Sequence, residues 1–329
     1  MADTPELQAR LESFLSENVG RPVSVSGLSR LPGGASRETW SFTADIGGGA
    51  RRLILRRDPP RASVGTMDRQ TESELLRRAA SAGVPVPEVL WAPADPAVLG
   101  SPAFVMAHVE GETIARRILR DPEYADARPR MAAQCGEILA RLHGIDVSGL
   151  APLRPPEGNP ALEALDRYRA VLDTFGEPHP AFELGMRWLG RRVPEPSRVT
   201  LVHGDFRNGN LIVGPDGVRA VLDWELAHMG DPWEDLGWLC VRSWRFGGPG
   251  EAGGFGARSD LYAAYERTSG VAVDTEAVHW WEVFGNLKWG VICIAQAFTH
   301  LWGQVRSVEL AAIGRRAVET EHDLLEMIS

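Results

Sequence analysis

Apolar positions along the chain repeat first with a helical period, then with a strand period, then with a helical period again. Leu7, Leu11, Phe14 and Leu15 fall on one stripe behind Pro5 and predict a short amphipathic helix. Strand-like runs follow at residues 23–31, 39–46 and 52–56, separated by Pro32-Gly33-Gly34 and Gly47-Gly48-Gly49, which are turn chemistry. A charged helix is expected over 67–82, stopped by Gly83, Pro85 and Pro87, with two more short strands at 88–92 and 103–108. From Glu110 onward the pattern is helical, at 131–143, 161–175, 181–192, 233–244, 258–268, 275–302 and 309–327, with a single β-hairpin at 210–223. The fold class is therefore α+β. A small sheet lobe with one packed helix (1–107) precedes a mainly helical lobe (108–329). The stretch 245–256 holds six glycines in twelve residues and reads as a mobile loop, either a bare linker or a lid over a site.

Composition narrows the function classes. The chain has 329 residues, 44% of them hydrophobic, enough to bury a real core. A net charge of −9 argues against a dedicated nucleic-acid binder. No apolar run reaches the roughly 18 residues of a membrane span, and residues 1–20 lack the order of a signal peptide. Cys135, Cys240 and Cys293 are too scattered for a disulfide framework or a zinc site. The expectation is a cytoplasmic protein with no membrane or nucleic-acid partner; nothing in the pattern speaks to an oligomer. Of the 35 basic residues only Lys288 is a lysine. Any mechanism that needs a lysine must use Lys288 or do without.

The chemistry is concentrated in residues 201–235. If Val213 pairs with Val218 across the turn Gly214-Pro215-Asp216-Gly217, Asn210 stands opposite Val221. Asp223 then lies one diagonal step from Asn210, at roughly 7–8 Å between backbones. Two such oxygen-bearing side chains suit Mg²⁺, which takes few protein oxygens and completes its shell with water and phosphate. Asp205 lies five residues before Asn210. Asp-x-x-x-x-Asn, an apolar hairpin and a second Asp match a phosphoryl-transfer site, where one Asp takes the acceptor proton and the Asn and second Asp hold the metal.

His203-Gly204-Asp205-x-x-x-x-Asn210, Leu222-Asp223-Trp224 and Gly230-Asp231-Pro232-x-x-Asp235 resemble the aminoglycoside phosphotransferase family. They closely resemble the branch related to kinase domains fused to acyl-CoA dehydrogenases. The resemblance covers about residues 20–305 and implies a two-lobed, protein-kinase-like fold. It also implies ATP as phosphoryl donor, with GTP an open alternative, Mg²⁺, and a small-molecule hydroxyl as acceptor. It makes Asp205 the catalytic base, supported by His203, and Asn210 and Asp223 the metal ligands. Asp235 would brace the loop and Asp231 would cap a helix before Pro232.

In the N-terminal lobe the same resemblance assigns Gly33, Gly34 and Ser36 to a nucleotide loop whose N–H groups approach phosphates. It assigns Arg56 to the position of the family's strand-three lysine, with Arg57 as the alternative. Glu72 would be the helix partner, with Glu74 as the alternative, and Met106 and His108 would lie on the hinge strand whose backbone meets adenine. For the acceptor, Trp281, Lys288 and Arg306 suggest an aromatic-walled pocket able to meet an anion, although Trp281 and Lys288 also fit a core stripe. The obvious carboxylates, Glu225, Glu234 and Glu282, are few for a polycationic substrate. The reading is a phosphotransferase acting on a hydroxylated metabolite, a hydroxyacyl compound or an antibiotic. Its rivals are a nucleotide-binding pseudokinase or scaffold without turnover, and a choline-, homoserine- or sugar-type kinase.

Overall fold

The computed structural model describes residues 4–31, 38–59, 67–196 and 198–329. Gly33, Gly34 and Ser36 lie outside the described residues. The first helix, α1 (Thr4–Val19), buries Leu7, Leu11, Phe14 and Leu15, as their spacing predicts. An antiparallel sheet follows from β1 (Val25–Arg30), β2 (Glu38–Ile46), β3 (Gly49–Arg57), β4 (Val89–Trp91) and β5 (Ala103–Ala107), in the order β1-β2-β3-β5-β4. Between β3 and β4 runs α2 (Arg69–Ser81), capped by the Asp68 carboxylate accepting from Thr71 N–H. Alternation along β3 sorts its two faces. Leu53 and Leu55 join the α1 side chains in one apolar cluster, whereas Ile54 joins Leu75 and Leu76 of α2 in the larger core that continues into the helical lobe.

The helical lobe contains α3 (Ala115–Arg120), α4 (Arg128–Leu142), α5 (Pro160–Asp173), α6 (Pro180–Gly190), α7 (Trp233–Cys240), α8 (Arg258–Ser269), α9 (Thr275–Leu301), α10 (Val308–Gly314) and α11 (Ala317–Ile328). Two short ladders accompany them. One pairs β6 (Thr200–Val202) with β9 (His228–Gly230), and the other is the hairpin of β7 (Leu211–Gly214) and β8 (Gly217–Val221). α7 and α9 pack so closely at Gly237 that a Cβ there would stand 2.7 Å from the Glu282 backbone nitrogen. That approach carries α7 onto the underside of the site.

Four expectations are corrected. The helix expected over 233–244 stops at Cys240, because Val241 takes an extended ψ of 132°; a separate 3₁₀ turn spans Arg242–Arg245. The single helix expected over 309–327 is two, α10 and α11. Gly314, at the break, packs so tightly that a Cβ would collide with Ala297 of α9. The hairpin register expected from Val213–Val218 holds only at the turn. Ile212 pairs with Ala220 and Leu211 with Val221, so Arg219 is bulged out and Asn210 stands opposite Leu222, whose N–H it accepts at 2.8 Å. Finally, residues 245–256 are not a loose loop. Ala252 and Phe255 are buried, backbone bridges join Gly250 to Gly254 and Ala252 to Gly256, and Gly253 N–H reaches Leu239 O at 3.0 Å. The glycines serve close backbone approach there, since a Cβ on Gly254 would collide with the Arg245 carbonyl.

Candidate active site

The β6–β9 ladder brings the loop after β6 against the start of α7. From that helix start the buried Asp235 carboxylate accepts His203 N–H at 2.8 Å and Gly204 N–H at 3.0 Å, and it also meets His143 Nε2 at 3.2 Å. Asp235 therefore braces the loop, and Asp231 caps α7 through Trp233 N–H at 3.1 Å. Gly204 has φ +77°, and a Cβ there would lie 2.6 Å from Leu226 O, so the position demands glycine. His203 is fully buried. Its Nδ1 accepts Asp205 N–H at 3.2 Å, which leaves Nε2 to donate to Leu222 O at 3.1 Å. Burial holds this ring neutral against the pull of Asp235, Asp205 and Asp223. It ties the Asp205 loop to the strand end that carries Asp223.

Three donors fix the Asp205 carboxylate. Trp238 Nε1–H reaches Oδ1 at 2.9 Å, Arg207 Nε–H reaches Oδ1 at 3.0 Å, and Asn210 Nδ2 reaches Oδ2 at 2.6 Å. The Arg207 guanidinium in turn lies 4.5 Å from the centre of the Trp244 ring. Because the Asn210 amide nitrogen is spent on Asp205, the amide oxygen remains for another partner. Asp223 follows the hairpin with φ 66°, one of only two non-glycine residues with positive φ among those described. The bulge at Arg219 and this left-handed turn, rather than simple alternation, bring Asp223 to the cleft that Asn210 lines.

Across that cleft stands Arg56 of β3. Its guanidinium is 3.4 Å from Glu72 of α2 and 3.6 Å from Asp223, so one cation links sheet, helix and hairpin end. Burial works against the Arg56 charge, but Glu72, Asp223 and Glu225 outweigh it and raise its pKa. Glu72 is fully buried and also pairs with Arg69, whereas Glu74 pairs at the surface with Arg78 at 3.1 Å. Arg57 points to the opposite face, 3.2 Å from Glu38. Of the alternatives left by the sequence, Arg56 and its partner Glu72 are thus the pair on the cleft side, while Arg57 and Glu74 are paired elsewhere. The cleft has a volume of about 400 Å³. Ile54 and Met106 line it from the sheet, Ile212 and Leu222 from the hairpin, and His108 and Glu225 are among its other walls. Glu112 closes one side by exchanging backbone hydrogen bonds with Val213 at 2.9 Å in each direction.

A family model described as the phosphotransferase enzyme family, APH, matches residues 27–271. The chain belongs to this phosphotransferase family. Curated relatives include acyl-CoA dehydrogenase family member 10 of Mus musculus, 32% identical over 203 residues, which are 58% of this chain and 18% of that protein. Family member 11 of Gallus gallus is 31% identical over 230 residues, 66% of this chain and 28% of that protein. The chain thus spans less than a third of these relatives' length. Among solved structures, a Ralstonia eutropha JMP134 protein assigned to the aminoglycoside phosphotransferases superposes with a TM-score of 0.77 at 24% identity, covering 97% of each chain. A choline/ethanolamine kinase family protein of Mesorhizobium loti gives 0.63 at 23% identity, covering 99% of this chain and 95% of that one. Aminoglycoside phosphotransferase APH(4)-Ia, in ternary complex with ADP and hygromycin B, gives 0.63 at 18%, covering 97% of each chain. These likenesses show the kinase-like, two-lobed fold.

In this member of the family the residues expected at the acceptor do not gather. Trp281 is buried and donates from Nε1 to Asp231 Oδ2 at 2.9 Å. Lys288 is buried beneath the Asp205 loop, not presented to a cavity. Arg306 is exposed in the segment between α9 and α10 and is not among the cleft residues. Glu225 belongs to the cleft beside Arg56, Glu234 pairs with Lys288, and Glu282 is clamped by Arg245 and Arg258. A second cavity, of about 960 Å³, opens instead between Ile114 and Arg116 on one side and Arg242, Phe246, Arg316 and His322 on the other. Phe246 leans on Trp244 (6.4 Å between ring centres), which carries Arg207 and so adjoins Asp205. Trp238, Arg207 and this cavity carry no linear signal, because tryptophan and arginine are ordinary core and surface residues until α7 and the 3₁₀ turn fold under the loop.

Proposed function

We propose that the protein transfers the γ-phosphoryl group of ATP to a hydroxyl of a small molecule. The observation that carries this is one converging set: Asp205 and Asn210 on one loop, and Asp223 facing an Arg56–Glu72 pair across a cleft with apolar walls. The apolar side chains of sheet and hairpin would sandwich the adenine beside the Met106–His108 strand, and Arg56 would meet the phosphates. The oxygens left at Asn210 and Asp223 are hard donors and fit Mg²⁺, which would neutralise phosphate charge. Asp205 would take the proton of the acceptor hydroxyl as its oxygen bonds to the γ-phosphorus and the bond to the β-phosphate oxygen breaks, releasing ADP. Most of the rate would come from positioning and charge neutralisation.

The acceptor would enter from the cavity beside Phe246. Glu225, Glu234 and Glu282 are all engaged with cationic side chains, and of that cavity's own acids Asp323 pairs with Arg242 and Glu319 with Arg316. Both facts favour an uncharged or anionic hydroxyl compound over a polycationic aminoglycoside. A mass-spectrometric screen with Mg²⁺, ATP and pooled hydroxylated metabolites, hydroxyacyl compounds and antibiotics tests the reading through a product heavier by one phosphoryl group. Asp205→Ala should leave nucleotide affinity nearly intact and lower turnover by about a thousandfold or more. Normal turnover in that variant removes Asp205 as the base. The rival is a nucleotide binder without turnover, favoured by the arginine in place of lysine; nucleotide binding with no product from any pool would establish it.

A further inference from the structure

The only lysine of the chain lies in the interior. Lys288, on α9, is 5% exposed, and its ammonium donates to the Gly204 carbonyl at 3.0 Å and to Glu234 Oε1 at 3.2 Å. It also stands 4.5 Å from the centre of the Trp238 ring, the indole whose N–H holds Asp205 Oδ1 at 2.9 Å. Glu234 has a second partner in His228, at 3.2 Å, so it does not depend on Lys288 alone. Burial disfavours the ammonium, but Glu234 outweighs it and keeps the charge in place.

We propose that Lys288 is a positioning residue for Asp205, acting through the Gly204 carbonyl and through the Trp238 ring. The first route fixes a peptide plane. Gly204 O is held by Lys288 and the Asp205 N–H on the same peptide by His203 Nδ1, so the backbone from which the Asp205 side chain springs cannot rotate. The second route fixes the carboxylate. A cation over the indole face holds the ring and draws electron density from it, which makes its N–H a stronger donor to Asp205. A buried ion pair is weak evidence for stability, and an apolar residue of similar volume would fill the same space at no desolvation cost. A charge retained there is explained by what it orients. The proposal rests on Asp205 being the base, and it assigns Lys288 no contact with substrate.

Lys288→Met combined with Glu234→Gln removes the charge without stranding a buried carboxylate. In protein labelled with ¹⁵N at the tryptophan indoles, the Trp238 Nε1–H resonance is the one missing from Trp238→Phe and displaced in Asp205→Ala. In the double variant this resonance is expected to move toward its Asp205→Ala position. ADP release from Mg²⁺-ATP, with water as acceptor, should fall about tenfold or more in kcat while KM for ATP stays within about twofold. Trp238→Phe, which keeps an aromatic ring but loses the donor, should show the same split. A Trp238 resonance that stays in place in the double variant overturns the proposal and leaves Lys288 a countercharge for Glu234. A kcat equal to the parent's in both variants overturns it as well. Unchanged ADP release in Asp205→Ala would strike the base instead, while the indole readout would still report whether Lys288 holds that carboxylate.

Discussion

At Arg56 a single guanidinium stands between a helix carboxylate and the hairpin-end Asp223, and its neighbour Arg57 turns to Glu38 on the opposite face. Their substitutions should therefore separate cleanly. Arg56→Ala should weaken nucleotide binding by about 1.5–3 kcal/mol, and Arg56→Lys should retain most of the affinity as a point charge. Arg57→Ala should leave affinity alone and cost stability on the order of 1 kcal/mol, because Glu38 loses a partner. Nucleotide titrations of the three variants decide this, and an Arg57→Ala that binds as poorly as Arg56→Ala would sink the assignment. The residues of the Asp205–Asn210–Asp223 string were legible because their order and spacing are unusual for turn caps. Strand parity alone could not choose between Arg56 and Arg57, because on each face of β3 the arginine follows a leucine or isoleucine, Ile54 before Arg56 and Leu55 before Arg57. Trp238 had no linear signature at all; its contact with Asp205 exists only after α7 packs on α9.

At the scale of elements, the start of α7 holds two acids with opposite behaviour. Burial pushes Asp231 up to about 6 against the hydrogen bonds from Trp281 and Trp233. Burial also opposes ionisation of Glu234, but Lys288 and His228 overcome it and hold that carboxyl down at about 2. Asp231 binds its proton more tightly folded than unfolded, so its contribution falls as pH rises from the ordinary value of 3.8 through about 6. Glu234 contributes in the other sense, and its share is lost as pH drops from 4.5 toward about 2. Stability should peak near pH ~4.5 in this part of the profile. Asp231→Asn should abolish a decline on the order of 2 kcal/mol above that peak. Urea unfolding of parent and variant across pH ~4.5 to ~7 measures it, and parallel profiles would dismiss the Asp231 effect. Long periodic helices such as α4, α5 and α9 were readable from sequence. β6 and β9, three residues each, were too short to show a period, and the Arg219 bulge is a tertiary accommodation that no alternation announces.

For the whole molecule, sheet lobe and helical lobe meet at a cleft whose walls come from both, so a nucleotide seated there would bind only the folded arrangement. Mg²⁺-ATP at about one hundred times its Kd should stabilise the protein by about 2.7 kcal/mol and raise Tm accordingly. Chelation of the metal should remove most of that gain in a thermal scan, and an equal shift with and without metal would remove Asn210 and Asp223 as ligands. The architecture was legible from the change of period near residue 108. The second cavity was not, because it is assembled from the segment at Ile114, the 3₁₀ turn and α11, which are remote in sequence. One feature of the interior also sets the character of the exterior. With Lys288 buried and every other basic side chain an arginine, the folded surface offers no lysine amine at all. Succinimidyl esters, reductive methylation and any cellular tag written on lysine ammonium groups find, beyond an α-amino terminus, nothing to react with until α9 parts from the loop at Gly204. The rate at which that one amine becomes labelled is a clock for local opening directly beneath Asp205.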